Sequence, residues 1–525
     1  MNGKRPIAAI AILYVLFALP ETPAAFDLLG LAHVPWEPVI LLLLPGVLPP
    51  RVWGWVKPVL VALLTVAVVV KVANIGTLQG FDRPFAPLTD VPLIPVALGT
   101  LAMNSVVIAG AAAAGAAILT GAIAASAWWA LTVLGAFSQT RRWTTFIGAL
   151  IVATLAFSLV TVGDPPVPVA NAATTLLMRT QTETLMDDLR DLQRFKVTLQ
   201  QPEPPPKPQA LASLRGIDVL VIFIESYGRS ALDRAPYNQI VRPALADSTR
   251  ALSSAGFQSR SAWLTSATFG GQSWLAHSTV LSGLPVTSDA RYQALVHSKR
   301  STLAADFKGA GWRTAAVMAE ITGPWPEGRF FGFDATYIAP ELGYAGPPFG
   351  YMTMSDQYVL HAFNQREFAK PDRPPLMAEI ALISSHIPWA PLPKLVPWDE
   401  VKDGAIFATA RTAQPASEVW SVPGGVERAY AQSVEYTLRT VTSFITTYGR
   451  DNTLVILMGD HQPMGFIAGE GAGRQVPVHL IARDERLLRA LDGGTWAPGM
   501  TPAADGPVTP MEAVRGRILS AFTPD

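Results

Sequence analysis

Two apolar runs in this chain end in residues able to hold a metal ion. The run DVLVIFIESYGR places Glu225 at the close of a strand-like stretch. Far downstream, TLVILMGDHQPMG closes in the same way, with Asp460 and His461 side by side. Hard carboxylate oxygens together with an imidazole suit Mn²⁺, Zn²⁺ or Mg²⁺. A third group joins them from TFGGQSWLAHSTVLSGLP, where Gly270 and Gly271 give a flexible approach to Ser273 and residues 274–284 read as a helix. A hydroxyl at a helix N-terminus lies where backbone N–H groups and the helix dipole favour an anion. A metal beside it would lower its pKa and stabilise a phosphoryl oxygen. An isolated serine in that place would be an N-cap. Beside two metal-binding strand ends it reads as a nucleophile, with Thr268 its nearest rival.

The elements that must position these groups alternate between strand and helix. VLVIFI, RTAAVMA, MAEIALIS and NTLVILMG are the clearest strands, and residues 242–256, 301–311 and 430–448 have helical patterning. That alternation predicts an α/β sandwich with a mostly parallel sheet over residues 213–525. In such a sheet, ligands bind outside the carboxyl ends of the strands.

The remainder of the chain is of another kind. Half of the 525 residues are hydrophobic, and charge is sparse before residue 163. Apolar stretches at 6–19, 39–48, 56–75, 93–137 and 143–162 predict an N-terminal bundle of about five membrane spans. Lys4, Arg5, Arg51, Lys57, Arg141 and Arg142 fall on one side of that bundle, and Glu21, Asp27, Glu37, Asp82 and Asp90 on the other. The positive-inside rule then puts the N-terminus in the cytoplasm and everything after the last span outside. A cleaved signal peptide over 1–25 is the alternative for the first span. Lys71, inside the third span, reads either as a snorkelling side chain or as a contact to a lipid headgroup. Residues 164–212 read as a juxtamembrane linker. In it an amphipathic helix carries Leu185, Leu189, Leu192, Phe195 and Leu199, and a stiff PEPPPKP spacer follows. That helix would lie on the membrane surface or pack on the domain that follows. The formal net charge of zero gives no basic field for nucleic acid. The absence of cysteine excludes disulfides, formylglycine made from cysteine, and thiolate metal sites.

The order strand–Glu225, GGQSW, SSHIPW, MGDHQP resembles the sulfatase-like branch of the alkaline phosphatase superfamily. More narrowly, spans followed by such a domain resemble lipoteichoic acid synthases and their phosphoglycerol and phosphoethanolamine transferase relatives. The resemblance implies one divalent metal, Mn²⁺ foremost with Zn²⁺ or Mg²⁺ as alternatives, held by Glu225, Ser273, Asp460 and His461, with Ser273 the nucleophile. It implies that His386 in SSHIPW binds substrate phosphate. Trp325 and Arg329, in GPWPEGRFFGFD, would contact the headgroup, and His479 in QVPVHLIARD would face the metal pocket. His277, one turn after Ser273, reads as a neighbour of the site or as a packing residue. The implied setting is a bacterial inner membrane with the catalytic domain on the periplasmic side, a phospholipid as donor and a glycan or lipid as acceptor.

Two departures shape the expectation. The nucleophile is serine where the nearest transferases use threonine, which makes hydrolysis by a membrane-anchored phosphodiesterase or phosphatase the alternative. The disulfide-stapled outer domain typical of the phosphoethanolamine transferases has no counterpart in a chain without cysteine, which favours a phosphoglycerol-type relative. SWLAH also lacks the Cys/Ser-x-Pro-x-Arg signature of true sulfatases, which argues against sulfate ester hydrolysis.

Overall fold

A computed structural model describes residues 4–22, 34–95, 97–98, 106–140, 143–162, 167–168, 170–203, 209–349 and 352–524. Asp27, Arg141, Arg142 and most of the proline-rich spacer, all used above, lie outside the described residues. The chain forms two compact units, Met1–Asp191 and Leu192–Asp525. The boundary falls inside the expected amphipathic helix, which runs over Ala173–Gln200.

The first unit contains α1 (Lys4–Ala18), α2 (Glu37–Val47), α3 (Pro50–Phe81), α4 (Val106–Phe137), α5 (Trp143–Ser158) and the start of α6 (Ala173–Gln200). Among the described residues, two helices, α3 and α4, are long and apolar enough to cross a membrane, where five were expected. The other three expected spans are helices of 15, 11 and 16 residues, short of the ~20 that a span needs. The apolar stretch was legible there; its helical length was not. Outward positions of α4, such as Val107, Ile118 and Leu119, are apolar and exposed, as suits a lipid-facing surface. Lys71 does not snorkel. It is buried, and its Nζ donates to the carbonyl oxygens of Phe17 and Leu19 at 2.7 and 3.0 Å, close to Glu21. The ammonium thus satisfies the Phe17 carbonyl in the last turn of α1 and the Leu19 carbonyl just beyond it.

The second unit is built on a nine-stranded sheet. Its strands are β1 (Asp218–Ile224), β2 (Gln258–Thr265), β3 (Arg313–Met318), β4 (Ala335–Ile338), β5 (Leu376–Leu382), β6 (Thr453–Gly459), β7 (Gln475–Ala482), β8 (Ala497–Pro498) and β9 (Val508–Pro510). They lie in the order β8-β2-β7-β6-β1-β5-β3-β4, with β9 beside β2. The run from β6 to β4 is parallel, and β7 is antiparallel to both its neighbours. The four strands read from the sequence are β1, β3, β5 and β6, at or next to the centre. Every residue of β1, β5 and β6 is buried, as expected of parallel strands covered on both faces.

Helices pack on both faces because successive strand side chains point opposite ways. Leu220, Ile222 and Ile224 join a core with Val241 and Leu245 of α7 (Asn238–Ser254) and Val434 and Leu438 of α10 (Gly425–Tyr448). Val219, Val221 and Phe223 join the opposite core, with Leu275 and Val280 of α8 (Ser273–Ser282) and Ile518 of α11 (Ala513–Phe522). A further helix, α9 (Asp356–Phe363), lies within the first of these cores. The parallel register Ile224↔Gly459 and Ile224↔Leu382 brings the carboxyl ends of β6, β1 and β5 level. Glu225, Asp460 and the SSHIPW loop therefore leave the sheet together.

Candidate active site

Close backbone approach makes the strand ends converge. A Cβ on Gly459 would collide with the Tyr227 carbonyl oxygen, so β6 can reach the turn after β1 only with glycine there. In that turn Ser226 holds a positive φ of 55°. Its N–H donates to Asp460 Oδ1 at 2.8 Å and its hydroxyl to Glu225 Oε1 at 2.7 Å. The His461 N–H also donates to Asp460 Oδ1, at 2.6 Å. Both carboxylates are thus fixed by the chain that carries them.

His461 Nδ1 lies 2.7 Å from the Gln462 carbonyl oxygen, to which it donates. That fixes the tautomer and leaves the Nε2 lone pair facing inward. Nε2 stands 3.4 Å from Glu225 Oε1 and 3.6 Å from Asp460 Oδ2. One ligand atom from each of Glu225, Asp460 and His461 lies within 4.8 Å of the others, and all three residues are buried.

Ser273 is the first residue of α8, reached through Gly270, Gly271 and Gln272, all at positive φ. The Gly270 N–H donates to the Gln462 carbonyl at 3.0 Å, tying this loop to the one that carries His461. The Ser273 hydroxyl donates to Glu225 Oε2 at 2.9 Å and lies 3.2 Å from His461 Nε2. Thr268 spends its hydroxyl on the Gly271 carbonyl at 2.8 Å, holding the loop that presents Ser273.

Electrostatics in this cluster are those of a site built around a cation. Burial pushes the Glu225 carboxyl up, but the charges of His461 and His386 and the hydroxyls of Ser226 and Ser273 outweigh it and hold the group at about 2. Asp460 is held well above the usual carboxylate range by burial and by the neighbouring Glu225 charge. Burial pushes His461 down, against the pull of the Glu225 charge. Two buried carboxylates, an imidazole nitrogen and a hydroxyl converge at one point. This donor set fits one divalent ion.

The other expected residues are placed as follows. His386 is partly exposed on the loop after β5, near enough for its charge to bear on Glu225, and the Ser385 hydroxyl anchors that loop to the Glu225 carbonyl at 2.5 Å. Trp325 stands half-buried beside Phe331, with ring centroids 5.7 Å apart, and Arg329 is exposed on the turn that follows. Neither makes a described contact to Glu225, Ser273, Asp460 or His461. His479 lies in the core rather than at the pocket: its ring is fully buried, with Nδ1 2.7 Å from Ser261 Oγ and Nε2 3.2 Å from the Tyr227 hydroxyl. His277 stacks on Phe223, with centroids 3.9 Å apart, and its Nδ1 lies 3.0 Å from Glu379 Oε1. Sequence reading missed Glu379. Its signal was a lone charge in the middle of the buried strand LMAEIAL.

Fold and site define a class: an alkaline-phosphatase-like α/β domain with three residues able to hold a metal ion, and a serine hydroxyl beside them, at the carboxyl ends of its parallel strands. Within that class, the chain belongs to the sulfatase family, whose model matches residues 217–479. No curated protein sequence matches it. Among solved structures, it resembles the integral membrane lipooligosaccharide phosphoethanolamine transferase A (EptA) of Neisseria meningitidis at 13% identity and a TM-score of 0.52, over 98% of this chain and 95% of that one. The lipoteichoic acid synthase LtaP of Listeria monocytogenes aligns at 13% identity and a TM-score of 0.41, over 64% and 78% of the two chains. The phosphoglycerol transferase GacH of Streptococcus pyogenes aligns at 12% identity and a TM-score of 0.37, over 64% and 90%.

Proposed function

We propose that this protein is a membrane enzyme that moves a phosphoryl headgroup, of phosphoglycerol or phosphoethanolamine type, from a phospholipid to a hydroxyl of a glycan or lipid. The observation that carries the reading is the Ser273 hydroxyl, set at the start of α8 within 2.9 Å of Glu225 and 3.2 Å of His461. EptA, whose fold this chain shares over most of its length, is by name a phosphoethanolamine transferase. In this reading residues 1–163 form the membrane bundle, 164–212 the linker and 213–525 a catalytic domain outside the inner membrane.

Glu225, Asp460, His461 and Ser273 would hold one divalent ion, with Mn²⁺ the first choice and Zn²⁺ or Mg²⁺ as alternatives. When bound, the ion favours the serine alkoxide and offsets charge on the phosphoryl oxygens. Ser273 Oγ, its proton lost to water, forms a bond to phosphorus as the bond from phosphorus to the diacylglycerol oxygen breaks. That oxygen takes a proton from His386 or from water. The headgroup phosphate, now on Ser273, is displaced by an acceptor hydroxyl, which gives its proton to the same group. Trp325 and Arg329 would contact the headgroup. With water as acceptor the same steps make a phosphodiesterase, a reading that a serine nucleophile serves equally well.

Incubating the full-length protein with radiolabelled phospholipid tests this. Wild type should carry label on Ser273 and pass it to an acceptor, and Ser273→Ala should do neither. Label transferred by Ser273→Ala at the wild-type rate would sink the proposal. Free headgroup phosphate in place of labelled acceptor would establish the hydrolytic reading.

A further inference from the structure

Beneath the nucleophile lies a buried pair that the proposed chemistry leaves unused. Glu379 sits at the centre of β5, opposite Val221 of β1 and Ala316 of β3. It is fully buried, and its Oε2 has no hydrogen-bond partner. Its one described partner is His277 Nδ1, at 3.0 Å. A carboxylate in the middle of a sheet costs stability unless paired, and an apolar pair of similar volume there would often be at least as stable. Packing alone gives no reason for these two residues.

His277 follows Ser273 by four residues on α8, so the two lie on the same helix face, about 6 Å apart along the axis. A helical side chain leans back toward the N-terminus, here over the turn that Ser273 opens. Stacking on Phe223 and the bond to Glu379 leave the ring no freedom to turn. Nε2 takes no partner among the described residues, and the residue keeps 8% of its surface exposed. Burial opposes the imidazolium, but the bond to Glu379 and the Glu379, Glu320 and Asp460 charges outweigh it and favour the charged ring, raising its pKa above the ordinary value. That charge in turn acts on Asp460 and His461.

Resting on the headgroup-transfer reading, we propose that His277 donates a hydrogen bond from Nε2 to a non-bridging oxygen of the phosphoryl group at Ser273. Glu379 is the positioning residue that holds the ring for this. The donor is built into the helix that carries the nucleophile, so it needs no movement when charge develops on the phosphoryl oxygens.

The test uses full-length protein in detergent with Mn²⁺, and bis(p-nitrophenyl) phosphate as the probe. Glu379→Gln keeps shape and acceptor while removing the charge. His277→Phe/Glu379→Leu removes the pair together, so no lone buried charge is left to unfold the domain. The double variant should lose kcat by about 10²–10³-fold, the effect of removing one such donor, with KM and bound Mn²⁺ retained. Glu379→Gln should lose a smaller part, about tenfold. Replacing a non-bridging oxygen by sulfur should slow the wild type and have much less effect on the double variant, a readout that a packing role would not move. Wild-type rates in either variant, or an unchanged sulfur effect in the double variant, overturn the inference while leaving the headgroup-transfer reading intact. A wild type with no Ser273-dependent turnover overturns that reading, and this inference with it.

Discussion

Two buried histidines, one just past β6 and one within β7, show how local partners decide what an imidazole does. His461 gives Nδ1 to a carbonyl and keeps Nε2 for the cluster. His479 has no nitrogen to spare. The Ser261 hydroxyl donates to the Gly499 carbonyl at 2.6 Å, so Nδ1 must donate to Ser261 and Nε2 accepts from Tyr227. Burial lowers His479 from its ordinary 6.5 to about 3. Its folded value lies below the unfolded one, so the neutral ring's contribution is complete above pH 6.5. It is lost as the pH falls toward 3, by up to about 1.4 kcal/mol per pH unit. His479→Gln, which keeps a donor and an acceptor but cannot titrate, should remove that slope. Between pH 6.5 and pH 5 the variant should gain about 2 kcal/mol relative to wild type, read as a widening difference in melting temperature. Parallel pH profiles for the two proteins would show that His479 does not titrate with unfolding. The family resemblance sent His479 toward the pocket, but it lies inside β7 rather than after it. Which face and which end of a strand a residue occupies depends on register, and a motif does not carry register.

At the scale of elements, what was legible were the uninterrupted apolar runs. β1, β5 and β6 are buried at every position; β1 and β6 end where polar residues begin, so their carboxyl ends could be marked to the residue, whereas β5 stops at Leu382, two residues before the end of the apolar-looking run MAEIALIS. β2 was not legible: QSRSAWLT mixes polar and apolar residues, because an antiparallel strand nearer the sheet edge need not be apolar throughout. Glu379 was passed over because one charge does not break a strand pattern. Asp356 gave no signal either, since its partners are backbone groups distant in sequence. Its Oδ1 accepts from the N–H groups of Ile383 and Ser384 at 2.7 and 2.9 Å, and Oδ2 from the Thr437 hydroxyl at 2.6 Å. α9 thereby holds the start of the loop that presents His386. Asp356→Ala leaves two buried N–H groups unpaired, each costing ~1–3 kcal/mol. The variant should lose on the order of 3 kcal/mol, visible as a lower melting temperature. If His386 steadies the phosphate as proposed, the variant should also raise KM for a phosphodiester more than it lowers kcat, because the loop that carries His386 is loosened. Asp356→Asn, which keeps one acceptor oxygen, should recover part of both. A raised KM with no change in melting temperature would mean that Asp356 does not support the loop through these bonds.

At the scale of the whole molecule, the proposed chemistry depends on which side of the membrane the catalytic domain occupies, and that is a matter of parity. α3 and α4 are of spanning length; crossing twice, they return the chain to the side on which it started. Arg51 and Lys57 lie near the start of α3 and Arg141 and Arg142 follow α4, whereas Asp82 and Asp90 lie between the two helices. The positive-inside rule puts both basic ends in the cytoplasm. The domain reaches the outside only if α5 also crosses. Its 16 residues extend ~24 Å against a hydrocarbon core of ~30 Å, a mismatch that local thinning of the bilayer can absorb. The absence of cysteine makes this measurable, because one introduced thiol is the only thiol. Asp451, whose side chain is 93% exposed just before β6, and Arg51, exposed near the start of α3, are suitable sites. In intact cells a membrane-impermeant maleimide should label Asp451→Cys and spare Arg51→Cys, and permeabilisation should expose the second. The reverse pattern would place the catalytic domain in the cytoplasm, where a glycan acceptor outside the inner membrane could not reach Ser273.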